Sequence, residues 1–223
     1  MINDWKLGMR MLRHAYGVKL NCIAAGLLLL LEVPAVILGR VDGNGFPACY
    51  ILLVMGMLPV QMLLSLSVSS MVQTSPMKKK LQTKIPALVN LTVMWAVYLA
   101  GTLLSCIMIW GKPENRGEMY GNLLLLALSL AMVMVYMGAA YKHFILASVC
   151  LIPVLCTAIA GGLTGGIRGF LMGMGKGIPL WQTALLGLAI VAAGAAAEYL
   201  LSLLFYKAPM DRMAQSGRLR REI

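Results

Sequence analysis

Long apolar runs, each near the length needed to cross about 30 Å of hydrocarbon, alternate with short polar segments through most of the chain. Taken in order they predict six spans, at about 21–38, 48–72, 87–110, 120–141, 144–163 and 180–206. Ahead of them Ile2, Trp5, Met9, Leu12 and Tyr16 recur at three and four residues, with Lys6, Arg10 and Arg13 on a neighbouring stripe. Asn3 or Asp4 is placed to cap the start of that helix. The pattern predicts an amphipathic helix lying in the headgroup layer, tryptophan and basic residues both favouring that depth. The expected fold is all-α integral membrane, one transmembrane domain over 1–223: an interfacial helix over 1–19, six spans over 20–206, and a basic tail over 207–223.

The strongest polar interruption runs from Gln73 to Pro86 and carries Lys78, Lys79, Lys80 and Lys84. So many ammonium groups cannot sit in hydrocarbon, and the positive-inside bias places them in the cytoplasm. Ser75-Pro76 marks a turn, because the residue before proline is pushed out of helical geometry. The run after it predicts a short helix with Leu81 and Ile85 on one face. The other polar segments then acquire sides. Fourteen of the 19 lysines and arginines fall on the side of the lysine cluster, with only Arg40, Lys112, Arg116, Arg168 and Lys176 opposite. Both termini are therefore expected inside, in a multi-pass protein of a bacterial plasma membrane. The turn Lys142-His143 is so short that spans four and five should be antiparallel neighbours.

Composition narrows the function classes. The chain is 60% hydrophobic and 12% charged, and its net charge of +11 is distributed between spans rather than over one soluble face, so nucleic acid is not the expected partner. The N-terminal charged region runs to Lys19 and no small-residue cleavage site follows the first run, so the first span should stay attached. Cys22, Cys49, Cys106, Cys150 and Cys156 have no metal-binding spacing and read as small buried hydrophobes. His14 and His143 are far apart in sequence, and no metal site is expected. The eighteen methionines read as adaptable fillers of the interior.

Candidate chemistry lies inside the spans. Glu32 falls in the outer half of span one and Glu198 toward the inner half of span six. Placing a carboxylate there costs a few kcal/mol, about 2.5–3.5 on insertion scales. Each either lines a polar pathway and meets a cationic or hydrogen-bonding part of a substrate, or is protonated or bonded to a neighbouring helix. Ser65, Ser67, Ser69 and Ser70 crowd the inner half of span two, where hydroxyls let helices pack closely and bond across. Pro34 and Pro59 interrupt the first two spans. Between spans five and six Gly161, Gly165, Gly169, Gly173 and Gly177 recur every four residues, broken by Arg168 and Lys176. A bent, partly re-entrant segment at the outer face is expected there. No Gly-x-x-x-x-Gly-Lys-Ser/Thr loop, His-Glu-x-x-His helix or Gly-x-Ser-x-Gly elbow is present, so the chain itself is not expected to hydrolyse ATP or to be an enzyme.

An interfacial N-terminal helix, six spans with both ends inside, a basic cytosolic helix between spans two and three and a Gly-rich outer segment resemble the layout of a type-2 ABC exporter permease, in compact form. That resemblance implies a coupling helix at Ser75, Pro76, Met77, Lys78, Lys79, Lys80, Leu81, Gln82 and Lys84, docking in a groove of a separate ATPase subunit that carries the ATP and magnesium. It implies two permease subunits, as a homo- or heterodimer, with the substrate passing between them. Glu32, Ser65, Ser69 and Glu198 would belong to the pathway, and Gly165, Arg168, Gly169 and Gly173 to the outer gate. An amphipathic peptide or lipid-like substrate suits such a passage, and membrane lipid is the remaining partner. Two other classes compete: a membrane enzyme or an accessory or immunity protein without transport, and the substrate-binding subunit of an importer.

Overall fold

The computed structural model describes residues 2–13, 15, 17–42, 46–110, 116–150, 153–154, 156, 169–170, 173 and 178–209, with the backbone alone at 2, 3, 38–42, 46, 68, 70 and 71. Its elements are α1 (Ile2–Arg13), α2 (Val18–Asp42), α3 (Phe46–Val68), α4 (Ser70–Thr74), α5 (Lys78–Gln82), α6 (Lys84–Ile109), α7 (Arg116–Ala140) and α8 (Leu180–Phe205). Residues 144–150 are helical as well. Five helical stretches are long and apolar enough to cross a membrane: Val18–Ile37, Pro47–Ser67, Lys78–Ile109, Arg116–Ala140 and Leu180–Phe205. The protein is a multi-pass, all-helical membrane protein. Helices are what lipid permits, since each backbone N–H and C=O must find its partner within the chain.

Helix α7 is the axis of the bundle. Of its apolar window 67% is buried inside the protein, against 11% for α2, which lies at the periphery. Helices α6 and α8 flank α7, and α3 closes the other side. The core joins Leu52, Leu53 and Val60 of α3 to Met94 and Tyr98 of α6, Leu123, Leu126, Leu130 and Met134 of α7, and Val191 of α8. Among the methionines, Met94, Met119 and Met134 are fully enclosed, the gap-filling role that an unbranched, flexible side chain suits.

Contacts along the helices give their directions. On α8, Gly194 faces Ala131 of α7 and Glu198 faces Gly138, so α7 and α8 run parallel. Tyr98 of α6 reaches Thr183 and Asn90 reaches Glu198, so α6 and α8 are antiparallel. Helix α7 therefore ends at the lysine-bearing end of the bundle and α8 starts at the other, with residues 141–179 between them. The expected fifth span falls there. Residues 144–150 are helical and Tyr136 meets Ser148 at 3.4 Å, which folds this stretch back along α7. Most of 151–177 lies outside the described residues, including Gly161, Gly165, Arg168 and Gly177.

Two helix boundaries and the role of Asp4 differ from what the sequence predicts. The second span does not continue to 72: α3 ends at Val68, Ser69 is extended (φ −62°, ψ 147°), and α4 follows as a separate turn of helix. The hydroxyls of Ser65, Ser67 and Ser69 donate to the carbonyls of Met62, Leu64 and Leu66 on their own helix rather than across to another. Such local bonding competes with the helical ladder and favours a break. The third span begins at Lys84 rather than near 87, with Pro86 in its first turn, where the missing N–H leaves no bond unmade. And Asp4 serves as an ion-pair partner: it lies in the first turn of α1 and pairs with Lys80 and Lys84.

Candidate functional site

The lysine-bearing corner is built from α1, α4, α5 and the start of α6. Two extended residues, Ser69 and Ser75 (φ −68°, ψ 138°), isolate α4, and the Ser75 hydroxyl accepts the Met77 N–H at 3.2 Å to start the turn into α5. The side-chain amides of Gln73 and Gln82 both donate to the carbonyl of Ser67, at 2.8 and 3.0 Å, and fasten the corner to the end of α3. Leu81 packs on the core, and Thr83 donates to the Lys79 carbonyl at 2.8 Å where α5 gives way to α6.

The expected coupling residues divide by role. Lys80 and Lys84 reach inward to Asp4 at 2.6 and 3.1 Å. Those two ammonium groups, Lys80 first, hold the Asp4 carboxyl well below its usual range, at about 2. Leu81 and Gln82 are structural. Pro76, Met77 and Lys79 point outward. Lys142, in the turn after α7, is largely buried, and its basicity is lowered first by that burial and then by the charge of Lys78. The corner is thus a stapled platform with a cationic outer surface. The sequence reading had no signal that would tie Asp4 to Lys80 and Lys84, which are about eighty residues away along the chain.

The structure does not bring the intramembrane candidates together. Glu198 is completely buried and accepts a 2.8 Å hydrogen bond on Oε1 from the side-chain amide of Asn90, which is itself 0% exposed. This bond ties α8 to α6 beside the close approach of α8 to α7 at Gly138. Glu32 is 6% exposed, and neither of its oxygens has a hydrogen-bond partner among the described residues. It lies one turn from Ala35, which packs with Met108 at the far end of α6. Measured along α6, Glu32 and Glu198 are roughly 20 Å apart. Ser65 and Ser69 donate their hydroxyls back to α3 carbonyls three residues earlier. Gly169 and Gly173 are helical and exposed, and among the described residues a methyl group added at either meets nothing within 4 Å.

Two further polar residues, both inside spans, carry no charge to mark them in the sequence. Asn90 is one. The other is Asn122 on α7, fully buried with both side-chain polar atoms unpartnered among the described residues. It lines a cleft between α3 and α7 with Cys49, Tyr50, Leu53 and Ser129; about 20 Å³ there is open to the centre of a water molecule. That is room for about one water. Among the described residues no group of three or more His, Cys, Asp or Glu side chains could hold a metal ion. The expectation that the cysteines are small buried hydrophobes does not hold for Cys22, Cys106, Cys150 and Cys156, which are exposed on outward faces, where a small weakly polar side chain is accepted against lipid; Cys49 is half-buried. No protein-family model, curated protein or solved structure matches the chain.

Proposed function

We propose that this protein is the membrane permease subunit of an ATP-driven exporter, moving an amphipathic peptide or lipid-like substrate and coupled through α4–α5 to a separate ATPase subunit. The observation that supports this reading is the lysine-bearing corner. The α4–α5 segment leaves α3 at an extended Ser69 and turns again at an extended Ser75, yet Gln73 and Gln82 fasten it to α3, and Asp4 of α1 pairs with Lys80 of α5 and Lys84 at the start of α6. A handle of that kind passes a push on α5 directly to the start of a membrane helix. In this reading both termini and the corner are cytoplasmic, six spans form each subunit, and the substrate passes between two permeases. Glu32, a buried carboxyl without a described partner, is the pathway residue; Glu198, engaged by Asn90, holds helices together.

Copurification with an ATPase encoded beside it, followed by ATP hydrolysis with candidate amphipathic peptides, tests the proposal. The variant to use is Lys78→Ala/Lys79→Ala, because Lys80 also fastens Asp4 and its loss disturbs α1. Loss of substrate-stimulated hydrolysis with the bundle intact is expected. Unchanged ATP-dependent transport in that variant, or labelling of Lys79 from outside intact cells, overturns it.

A further inference from the structure

Helix α1 has three faces, and each meets a different medium. One face belongs to the protein. Asp4 is held by Lys80 and Lys84, Leu7 and Leu12 join the core, and a methyl group at Gly8 would run into Val89 at 2.5 Å and Ile85 at 2.9 Å. Turning roughly 120° from Asp4 about the helix axis brings up Trp5 and Met9, which are 40% and 37% exposed. The Trp5 indole N–H donates to Thr92 Oγ1 at 3.3 Å. Thr92 is two turns beyond Lys84 on α6, so this face is turned toward hydrocarbon. Turning on to roughly 200° brings up Lys6, Arg10 and Arg13, all exposed. At spacings of four and three they form a single line. The acid of this helix, Asp4, is spent inward, so nothing on α1 neutralises that line.

We propose that this outward side of α1 is a binding surface for anionic phospholipid in the leaflet at the lysine-bearing end. The head-group phosphates sit against Lys6, Arg10 and Arg13, and the glycerol and upper acyl region lies against Trp5 and Met9. The sequence of faces around the helix, protein then apolar-aromatic then cationic, is the sequence a helix meets when it lies at the boundary between hydrocarbon and phosphate. Charge decides the head group. A zwitterionic lipid offers no net attraction, whereas an anionic one gains about 1 kcal/mol, or about fivefold, for each basic residue close to the surface.

The test keeps Trp5 as the sole tryptophan, by Trp95→Phe, Trp110→Phe and Trp181→Phe, in nanodiscs of phosphatidylcholine doped with brominated phosphatidylglycerol or brominated phosphatidylcholine. The expected result is that brominated phosphatidylglycerol quenches Trp5 at a concentration at least tenfold lower, an advantage that shrinks in 0.5 M salt, about a 4 Å screening length. Lys6→Gln/Arg10→Gln/Arg13→Gln should abolish the preference, while Lys6→Arg/Arg10→Lys/Arg13→Lys retains it, separating charge from folding. Equal quenching by the two lipids, or an undiminished preference in the glutamine variant, overturns the proposal. So does competition by inorganic phosphate equal to that of the lipid, which makes the surface a free-anion site. No ATPase enters the measurement, so its outcome is separate from that of the exporter reading.

Discussion

Replacing Asn90 by leucine tests the polar tie between α6 and α8. In the native protein the Asn90 amide lies 2.8 Å from Glu198 Oε1, with both residues wholly enclosed. The bond by itself is a modest quantity: interhelical hydrogen bonds in membrane proteins average about 0.6 kcal/mol and reach about 1.7 kcal/mol. The larger effect is what remains afterwards. Leucine leaves Glu198 with neither oxygen partnered among the described residues, and an orphaned buried polar group costs about 1–3 kcal/mol, more when charged. The two effects together give an expected loss of about 2–3 kcal/mol for Asn90→Leu.

The diagnostic is the order of stabilities rather than one value. Glu198→Gln keeps a carbonyl oxygen for the Asn90 amide and should cost under about 1 kcal/mol. The double variant Asn90→Leu/Glu198→Met should be more stable than Asn90→Leu alone, because removing both partners leaves nothing orphaned. Reversible unfolding in mixed bicelles, followed by tryptophan fluorescence, gives the stabilities of the parent and the three variants, and Glu198→Met alone closes the double-mutant cycle. An Asn90→Leu loss within about 0.5 kcal/mol of zero refutes the reasoning, as does a double variant no more stable than the single one. Either outcome would mean that Glu198 finds a better partner than Asn90 when freed.

The close approach of α7 to α8 makes a second expectation. A methyl group at Gly138 would lie 2.8 Å from the Glu198 carbonyl oxygen and one at Gly194 would lie 2.8 Å from Ala131 Cα, both backbone atoms that cannot step aside. Gly138→Val and Gly194→Val should each lower stability by about 1–3 kcal/mol in the same unfolding assay, while Gly173→Ala, which meets no described residue within 4 Å, should not. Asp4 gives a pH dependence. Its carboxyl is lowered from 3.8 to about 2 by Lys80 and Lys84, so the clamp on α1 is complete above about pH 4 and is lost as pH falls toward 2. Fluorescence of Trp5 as sole tryptophan should report that transition, and Asp4→Asn should abolish it; an identical acid transition in the Asn variant counts against the clamp. Asn122→Leu removes two unpartnered polar atoms and fills a cleft the size of one water. Its unfolding midpoint should equal or exceed that of the parent, and a loss above about 1 kcal/mol would show that the carboxamide is bonded to an ordered water.

The positions of the described spans were legible in the sequence because hydrocarbon asks one simple thing of a helix, about twenty apolar residues. The lysine cluster was legible for the complementary reason, since charge marks water. Boundaries were less so. The α3 break at Ser69 depends on whether serine hydroxyls bond to their own helix or to a neighbour, and the two choices leave the same letters in the chain. Pro34 and Pro59 stand inside α2 and α3, while the helix actually breaks at a serine.

Which face of each span turns inward was not legible, and this has a physical origin. In water a helix buries its apolar stripe, so its pattern names the core face. In lipid the outside is as apolar as the inside, and that stripe disappears. Exposed Leu27, Leu30 and Leu31 on α2 and buried Leu123, Leu126 and Leu130 on α7 are the same residue type with opposite fates. What separates them is whether a neighbouring backbone can come close, as at Gly138 and Gly194, and whether a buried amide finds an acid, as Asn90 finds Glu198. Those are properties of pairs of helices. Glu198 and Glu32 look alike in the sequence for the same reason: each is a lone carboxylate in an apolar run, and only the packing of α6 against α8 makes one a fastening and leaves the other open. Asp4 follows the same rule at the surface. In its own helix it looks like a cap, and only the folded corner gives it two lysines to hold.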